Sequence, residues 1–343
     1  MTKKSISGKS WGALATGAVL VAGALFGTNI LHEQAVRGSE QLTFANSYNL
    51  NHHHNACGTA LVQQHLVASD SELQLTVFPS SQLGGDAERV ASLLDGDIDL
   101  DLQGSSALAS VYKPIGVMDM AYVFDNPDHL FEWFDSDASQ QVKDDFEEAT
   151  GAKILGVWYL GDRTFSANAP VRTPEDLEGL RLRYPETPAH LASAAAVGAE
   201  PVAVAFEEVY LSLQQGLVDG QENPISLTAE NSLDEVLDYV SLSRHAVGSQ
   251  LIIVARDTWD RLTEQEQDDL QSALQGVREQ NRQCADEDEQ ETMTRWKDQG
   301  SPVIVEDVDR EAFKERAQAY WEEHLSPEEL EVYNSIRSTS TES

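Results

Sequence analysis

The stretch TPEDLEGLRLRYPETP, residues 173–188, contains a helix start, a strand and the turn after it. Thr173 is a favourable N-cap, and Pro174 suits the first helical position that follows it. Apolar and basic residues then alternate over residues 180–184, which predicts a strand with one apolar face and one basic face. A helix followed directly by a strand of this kind is typical of an α/β fold.

Arg183 lies near the carboxyl end of that predicted strand. Ligands of α/β sheets bind beyond the carboxyl ends of the strands, so Arg183 is better placed than Arg181 to reach one. The planar guanidinium can donate parallel hydrogen bonds to both oxygens of a carboxylate. A salt bridge at the surface or between domains is the alternative interpretation, and this residue alone leaves both open.

The rest of the chain repeats the alternation of strand-like and helix-like segments. We predict strands at 41–45, 73–78, 98–102, 153–160, 240–243 and 251–255, with helices between them. Thr263 to about Lys297 is predicted to be one long charged helix with Leu270, Leu274 and Val277 as its apolar stripe. The pattern predicts an α/β fold with a largely parallel sheet.

The net charge of -35 excludes two broad classes of partner. Nucleic acids and anionic membranes both require a basic surface, so neither is expected to bind. An anionic small ligand would need a local arginine cluster to overcome the negative field. The few arginines near predicted strand ends are therefore the candidates for ligand binding.

The N-terminus has the pattern of an export signal. Lys3, Lys4 and Lys9 precede an apolar run of roughly 16 residues, from Trp11 to Phe26. The run is short for a membrane span, yet no clear cleavage site follows it, so residues 1–36 are predicted to be a signal peptide or an N-terminal anchor. The expected location of the remaining chain is the periplasm.

Two cysteines, Cys57 and Cys284, lie in the exported part of the chain. One disulfide and two isolated buried thiols both fit an even count in an oxidising compartment. The three consecutive histidines 52–54 suggest a metal site at first sight. Adjacent imidazoles do not easily converge on one ion, so we predict a solvated loop, no metal and no cofactor.

Two further segments carry candidate ligand-binding residues. Arg163 lies in GDRTF (161–165), where the first half of the chain passes into the second. Asn223 lies in DGQENP (219–224), which is predicted to be a turn between Gly220 and Pro224. The Asn223 amide can offer both a donor and an acceptor to a ligand, although a turn-capping role remains the alternative.

These segments together resemble one protein family. The strings TPEDLEGLRLRYPETP (173–188), AVAFEEVYLSLQQGLVDGQENP (203–224), WDRLTEQEQ (259–267) and SSQLGGDAERVASLLDGDID (80–99) are similar to the solute-binding proteins of tripartite ATP-independent periplasmic (TRAP) transporters, C4-dicarboxylate-binding (DctP) type. The resemblance covers about residues 40–330. It implies a two-lobed periplasmic binding protein type II-like fold, with hinge strands and a long helix spanning both lobes.

The resemblance also implies roles for individual residues. Arg183 matches the arginine that pairs with the ligand carboxylate, and Arg163 matches a second arginine near that carboxylate. Asn223 and Phe206 match the pocket asparagine and its aromatic wall. Phe206 stands where ectoine-binding members have Trp, which favours sugar acids and small dicarboxylates.

Three further positions are implied with less support from the motifs. Glu186 stands where the family has a variable ligand contact, and Asn46 and Gln103 occupy positions in lobe I that often face the ligand. The expected lobes are 41–160 plus 249–288 (lobe I) and 161–248 plus 289–338 (lobe II).

The sequence thus predicts a monomeric, non-catalytic binding protein. It would capture a small organic carboxylate, either a sugar acid or a C4-dicarboxylate, and deliver it to the small and large membrane subunits of a TRAP transporter. Two alternatives stay open: the ligand-binding component of a signalling system, and an exported hydrolase or lyase that uses some of the 58 acidic residues.

Overall fold

The computed structural model describes residues 40–340. The segment predicted to be a signal peptide or anchor, residues 1–36, lies outside this range. Between residues 40 and 340, no helix combines the length and the apolar character that crossing a bilayer requires.

One mixed sheet forms the centre of the described chain. Its strands are β1 (Glu40–Ala45), β2 (Leu73–Phe78), β3 (Leu100–Gly104), β4 (Lys153–Ala167), β5 (Arg181–Tyr184), β6 (Glu200–Ala203), β7 (Gly220–Pro224), β8 (Tyr239–Val254) and β9 (Val303–Val305). The order is β2-β1-β3-β8-β4-β7-β5-β6, with β9 paired to β8. The predicted α/β class is confirmed. Parallel pairs lie at the two flanks and between β8 and β9, whereas the central strands β4 and β8 pair antiparallel.

Helices surround this sheet. They are α1 (Ala60–Ala68), α2 (Asp86–Leu94), α3 (Ser105–Leu108), α4 (Pro127–Phe134), α5 (Asp137–Thr150), α6 (Pro188–Val197), α7 (Val209–Gln214), α8 (Ile225–Glu230), α9 (Arg256–Arg261), α10 (Glu264–Gly276), α11 (Arg278–Gln299), α12 (Arg310–His324) and α13 (Pro327–Arg337). Thr263 begins α10 with a capping box that includes Glu266. Such local signals explain why several helix starts agree with the sequence pattern.

The predicted single helix from Thr263 to Lys297 is two helices. Val277, whose backbone has φ -99° and ψ -7°, separates the end of α10 from the start of α11. Gly276 and Val277 are both weaker helix formers than the residues around them, which favours a break at this point. The predicted apolar stripe is nevertheless buried, since Leu270, Leu274 and Val277 are at most 1% exposed.

The two central strands are much longer than predicted. Strand β4 continues past residue 160, and the two strands predicted at 240–243 and 251–255 are one strand, β8. Their outer partners change near Gly161 and Gly248: β3 pairs with Gln250–Val254, whereas β7 pairs with Arg163–Ala167. A Cβ on Gly248 would lie 2.6 Å from the Gly161 carbonyl oxygen, so this crossing needs a glycine.

Consecutive residues of β4 point to opposite faces of the sheet and into two apolar cores. Val157 and Tyr159 belong to the larger cluster, with Trp133 and Trp321. Trp158 belongs to the second cluster, packed with residues of β1 and α10. Burial on both faces explains why residues 153–160 form an almost continuous apolar run.

A disulfide joins Cys57 to Cys284, with 6.5 Å between the Cα atoms. It connects a short π-helix, Asn55–Thr59, to α11. In the chain-entropy model, a bridge that closes so long a loop stabilises the fold by roughly 5 kcal/mol.

The prediction of a solvated loop at residues 52–54 is wrong. His52, His53 and His54 are each at most 1% exposed, and their rings lie 4.0–4.9 Å apart between centroids. Burial lowers the pKa of His52 and His54 well below the ordinary value, and the neighbouring His53 lowers both further. The three rings therefore form a buried, packed cluster where a hydrated loop was expected.

Candidate functional site

A cavity of about 540 Å³ lies beside the crossing of β4 and β8. Six of the seven residues proposed from the sequence as ligand contacts line it: Gln103, Arg163, Arg183, Glu186, Phe206 and Asn223. They come from β3, β4, β5, β7 and the segments after β5 and β6. Residues far apart in the chain thus meet at one cavity, as a small-molecule site requires.

Arg163, on β4, is held by an acid from the neighbouring strand. Its Nε and Nη2 atoms donate to the Glu222 carboxylate oxygens at 2.5 and 2.6 Å, and Nη2 also donates to Asn223 Oδ1 at 3.1 Å. Both side chains of the ion pair are at least nine-tenths buried. One edge of the Arg163 guanidinium is therefore already occupied by a carboxylate of the protein.

The surroundings of Glu222 keep this pair ionised. Burial alone raises the pKa of the Glu222 carboxyl, but Arg163 and a hydrogen bond with His245 hold the pKa well below its usual range. His245 Nε2 lies 3.3 Å from Glu222 Oε2, and Phe165 stacks on the imidazole. The pair is a fixed part of the protein interior.

The predicted turn at residues 219–224 is wrong, since residues 220–224 are the buried strand β7. It pairs with β4 on one side and with β5 on the other. Its polar residues are tolerated inside because Glu222 and Asn223 meet Arg163, and Asn223 Nδ2 also donates to Gln221 Oε1 at 2.5 Å. Polarity alone made this segment resemble a loop.

Arg183, on β5, is buried without a matching acid. The residue is 2% exposed, its Nε donates to the Val204 carbonyl at 2.8 Å, and its guanidinium lies 6.0 Å from the Phe206 ring centroid. Among residues 40–340, no carboxylate lies within ion-pair distance of Arg183. Burial lowers the pKa of Arg183 to about 10, partly opposed by Glu222, so the group is charged at neutral pH.

The other predicted residues line the cavity in different ways. Gln103 is buried, and its amide bonds to Asp86, Asp101 and the Gly104 backbone. Phe206 is half-buried and presents its ring to Arg183, whereas Glu186 is exposed at the rim.

Asn46 does not line the cavity, contrary to the expectation from the sequence. Its side chain is fully buried, where Nδ2 donates to Asn55 Oδ1 at 2.9 Å and Oδ1 accepts from the Tyr48 amide at 3.0 Å. The amide shapes the turn at residues 46–48. The following residues, Ser47 and Tyr48, line the cavity instead.

Sequence reasoning missed a further polar wall of the cavity. Asp119 accepts hydrogen bonds from the Ser106 amide at 2.8 Å and the Ser249 hydroxyl at 2.9 Å, and all three line the cavity. Asp119 is the one acid in the apolar run IGVMDMAYVF (115–124), and that isolation was the available signal. Gln250, next to Ser249, adds an amide to the same wall.

His190, in the first turn of α6, is a further residue that was missed. Its Nδ1 lies 2.9 Å from the Thr187 hydroxyl, and its Nε2 is buried with no partner among the described residues. Burial, together with the positive charge of Arg163, lowers the pKa of His190 to about 4. The ring is neutral and has one nitrogen available to a ligand.

A cavity between the two halves of a continuous sheet, with a buried unpaired cation, defines a two-lobed solute-binding protein. The family model described as DctP, bacterial extracellular solute-binding protein, family 7, matches residues 48–328, and the chain belongs to that family. Its members are periplasmic solute-binding proteins, so the resemblance noted from the sequence is confirmed.

Several known proteins are similar to this chain. The sialic acid-binding periplasmic protein SiaP of Vibrio cholerae is 32% identical over 74% of this chain and 79% of its own. The 2,3-diketo-L-gulonate-binding periplasmic protein YiaO of Escherichia coli is 31% identical over 71% and 74%. A TRAP periplasmic solute-binding protein from Polaromonas sp. JS666, solved with D-erythronate, superposes with a TM-score of 0.80 at 25% identity, covering 87% of this chain and 98% of that one.

Proposed function

We propose that this protein captures a small hydroxylated organic acid, and that Arg183 binds its carboxylate. The observation that carries the proposal is a charged guanidinium, 2% exposed, that lines the cavity and has no acid of the described chain as partner. A buried charge without a partner is costly, and a bound carboxylate would remove that cost through a forked pair. Phe206 would form the wall beside this pair.

The polar wall around Asp119 suits hydroxyl groups better than a second carboxylate. Asp119 would repel a second negative charge but accepts hydrogen bonds from hydroxyls, and Ser106, Ser249 and Gln250 offer further donors and acceptors. The second guanidinium, Arg163, is already paired with Glu222. Among the described residues that line the cavity, Arg183 is the one arginine without an acidic partner, and its combination with hydroxyl-binding groups favours a sugar acid.

The names of the relatives support this class. They bind sialic acid, 2,3-diketo-L-gulonate and D-erythronate, which each carry one carboxylate and several oxygen functions. A C4-dicarboxylate is the second candidate, because a relative from Rhodobacter capsulatus that is 29% identical binds that class. Asn223, Glu186 and Gln103 would then adjust the fit around the remainder of the ligand.

The two lobes would close over the ligand as a pair. The partition 41–160 plus 249–288 and 161–248 plus 289–338 follows the change of strand partners near Gly161 and Gly248. Among the hydrogen bonds that join the proposed lobes, Ser81 to Glu207 and Asn49 to Glu230, each 3.0 Å long, would help to hold the closed form. Affinity and closure would therefore be linked.

The physiological role would be delivery of the acid, unchanged, to the membrane subunits of a TRAP transporter. The chain would reach the periplasm through its N-terminal signal and act as a monomer. No catalysis is expected, and a sensor role would use the same cleft with a different partner.

A ligand panel tests the proposal. N-acetylneuraminate, 2,3-diketo-L-gulonate, D-erythronate, L-galactonate and succinate would each be added to the purified protein, with thermal unfolding as the readout. At least one sugar acid should raise the Tm, because a ligand that binds only the folded state stabilises it. Recovery of that ligand unaltered after incubation supports binding, and chemical turnover would favour the hydrolase or lyase. A panel in which succinate alone raises the Tm would overturn the sugar-acid assignment.

A further inference from the structure

The cluster of three buried imidazoles, His52, His53 and His54, lies outside the solute cavity. Each ring offers one nitrogen, and the three nitrogens lie within 4.8 Å of one another. In a tetrahedral zinc site, nitrogens bound at 2.0–2.1 Å are about 3.3 Å apart. Small side-chain rotations would therefore bring the three nitrogens to the spacing of a metal site.

The hydrogen bonds of the cluster leave the same atom unpartnered in every ring. The Nε2 atoms of His52, His53 and His54 are buried and have no hydrogen-bond partner among the described residues, and the same holds for Nδ1 of His53. Buried polar atoms are nearly always satisfied, so three orphans in one place need an occupant. Their adjacency in the sequence does not explain why the three nitrogens lie together, because the side chains of consecutive residues in a helical turn normally point in different directions.

Residues of α11 lie beside two of these rings. His54 Nδ1 lies 3.2 Å from Asn281 Oδ1, and an amide oxygen accepts, so the proton is on Nδ1 and the lone pair is on Nε2. The carboxylate of Asp288 lies 3.6 Å from His53 Nδ1, beyond hydrogen-bond distance, and its negative charge favours a proton on that nitrogen. Metal-bound histidines usually have such a partner on their other nitrogen.

The third ring starts from the other tautomer. His52 Nδ1 accepts from the His54 amide at 3.1 Å, which leaves the proton of the neutral ring on Nε2. Ligation through Nε2 moves that proton to Nδ1 and breaks one hydrogen bond. His53 and His54 would thus bind the metal without a change of tautomer, and His52 would become the third ligand after its proton moves.

We propose that His52, His53 and His54 form a binding site for a divalent transition metal of the zinc class, separate from the solute site. Neutral imidazoles suit Zn²⁺, Cu²⁺ and Ni²⁺. The two cysteines beside the cluster are joined to each other and offer no thiolate. Asp288, whose side chain is 43% exposed, connects the cluster to solvent and gives the ion a route of entry.

The competing occupant of this space is ordered water. A buried water molecule commonly bridges two to four otherwise unsatisfied polar groups. Water would satisfy the orphan nitrogens but would not bind a metal, so the two occupants give different results in a titration.

The test uses the whole protein, purified without an affinity tag and stripped with EDTA. Zn²⁺ is titrated in a calorimeter with excess Mg²⁺ present, which occupies oxygen-only sites on the acidic surface. We expect one Zn²⁺ per chain and a higher Tm in its presence. His53→Gln and His54→Gln should each weaken binding about 10- to 100-fold or more. His65→Gln, at an exposed histidine of α1, is the matched control and should bind as the wild type does.

A second readout covers variants that fail to fold. Stoichiometric Co²⁺ added to the wild type should give the intense visible bands of a four- or five-coordinate imidazole site. Absence of Zn²⁺ and Co²⁺ binding by the wild type, leaving water as the occupant, would overturn the proposal. Binding that survives in His53→Gln but is lost in His65→Gln would overturn it equally.

Discussion

Two arginines line the same cavity in opposite electrostatic situations. Arg163, on β4, is closed into a bidentate ion pair with Glu222, whereas Arg183, on β5, has only a carbonyl and an aromatic ring as neighbours. Both are buried, so exposure does not distinguish them. The difference indicates that a buried cation paired within the protein holds the structure together, while a buried cation left unpaired is kept for a ligand.

The largest expected effect concerns the paired arginine. Arg163→Ala leaves the Glu222 charge buried and unpaired, which should lower the free energy of unfolding by about 3 to 5 kcal/mol. Urea denaturation measures this loss. The matched control is Arg172→Ala, which breaks an exposed ion pair with Asp307 and should cost about 1 kcal/mol or less. Equal losses of unfolding free energy in the two variants would mean that the buried Arg163–Glu222 pair stabilises the fold no more than the surface pair does.

The unpaired arginine should show its effect in binding. Arg183→Ala should weaken ligand binding by about 2 to 5 kcal/mol, since the ligand carboxylate loses its partner in a desolvated site. The unfolding free energy of the ligand-free variant should stay level or rise, because an uncompensated buried cation is removed. The control is Arg181→Ala on the same strand, an exposed residue paired with Asp219, which should leave affinity unchanged.

A lysine at position 183 tests whether the ligand needs the forked shape of arginine or only its positive charge. Arg183→Lys keeps the positive charge but cannot make the forked contact, so affinity should fall by about 1.5 to 3 kcal/mol, the value of one hydrogen bond to a charged group. Titration calorimetry measures the loss. Affinity equal to that of the wild type would mean that charge alone holds the ligand.

The smallest effect should appear only in acid. The folded-state pKa of Glu222 lies below its ordinary value of about 4.3, so its contribution to stability is present above that pH and is lost as the pH falls further. Unfolding free energy measured from pH 6 downwards should therefore decline less steeply in Glu222→Gln than in the wild type. Identical slopes would assign the acid sensitivity to other carboxylates.

Local signals predicted the elements that depend on local chemistry. The strand at residues 180–184 and the cavity-facing Arg183 followed from alternation and from proline placement in sequence. The α/β class followed from the same patterns. A few neighbouring residues in the sequence are enough to determine these features.

The sequence alone could not predict which distant residues pair with each other. Nothing in the chain indicates that Glu222, one of 58 acids, is the partner of Arg163 across two strands. Strand β7 looked like a turn because its polar residues are satisfied only by tertiary contacts. The histidine cluster was assigned to solvent for the same reason, since its burial depends on α11, more than two hundred residues away in sequence.

The central claim is that Arg183 recognises the carboxylate of the ligand, and a comparison of ligands with and without that group tests it most directly. Calorimetry would compare an aldonate identified by the panel with its uncharged alditol, in the wild type and in Arg183→Ala. The wild type should prefer the acid by about 2 kcal/mol or more, and the variant should bind both compounds with nearly equal affinity. Retention of the full preference by the variant would contradict the account.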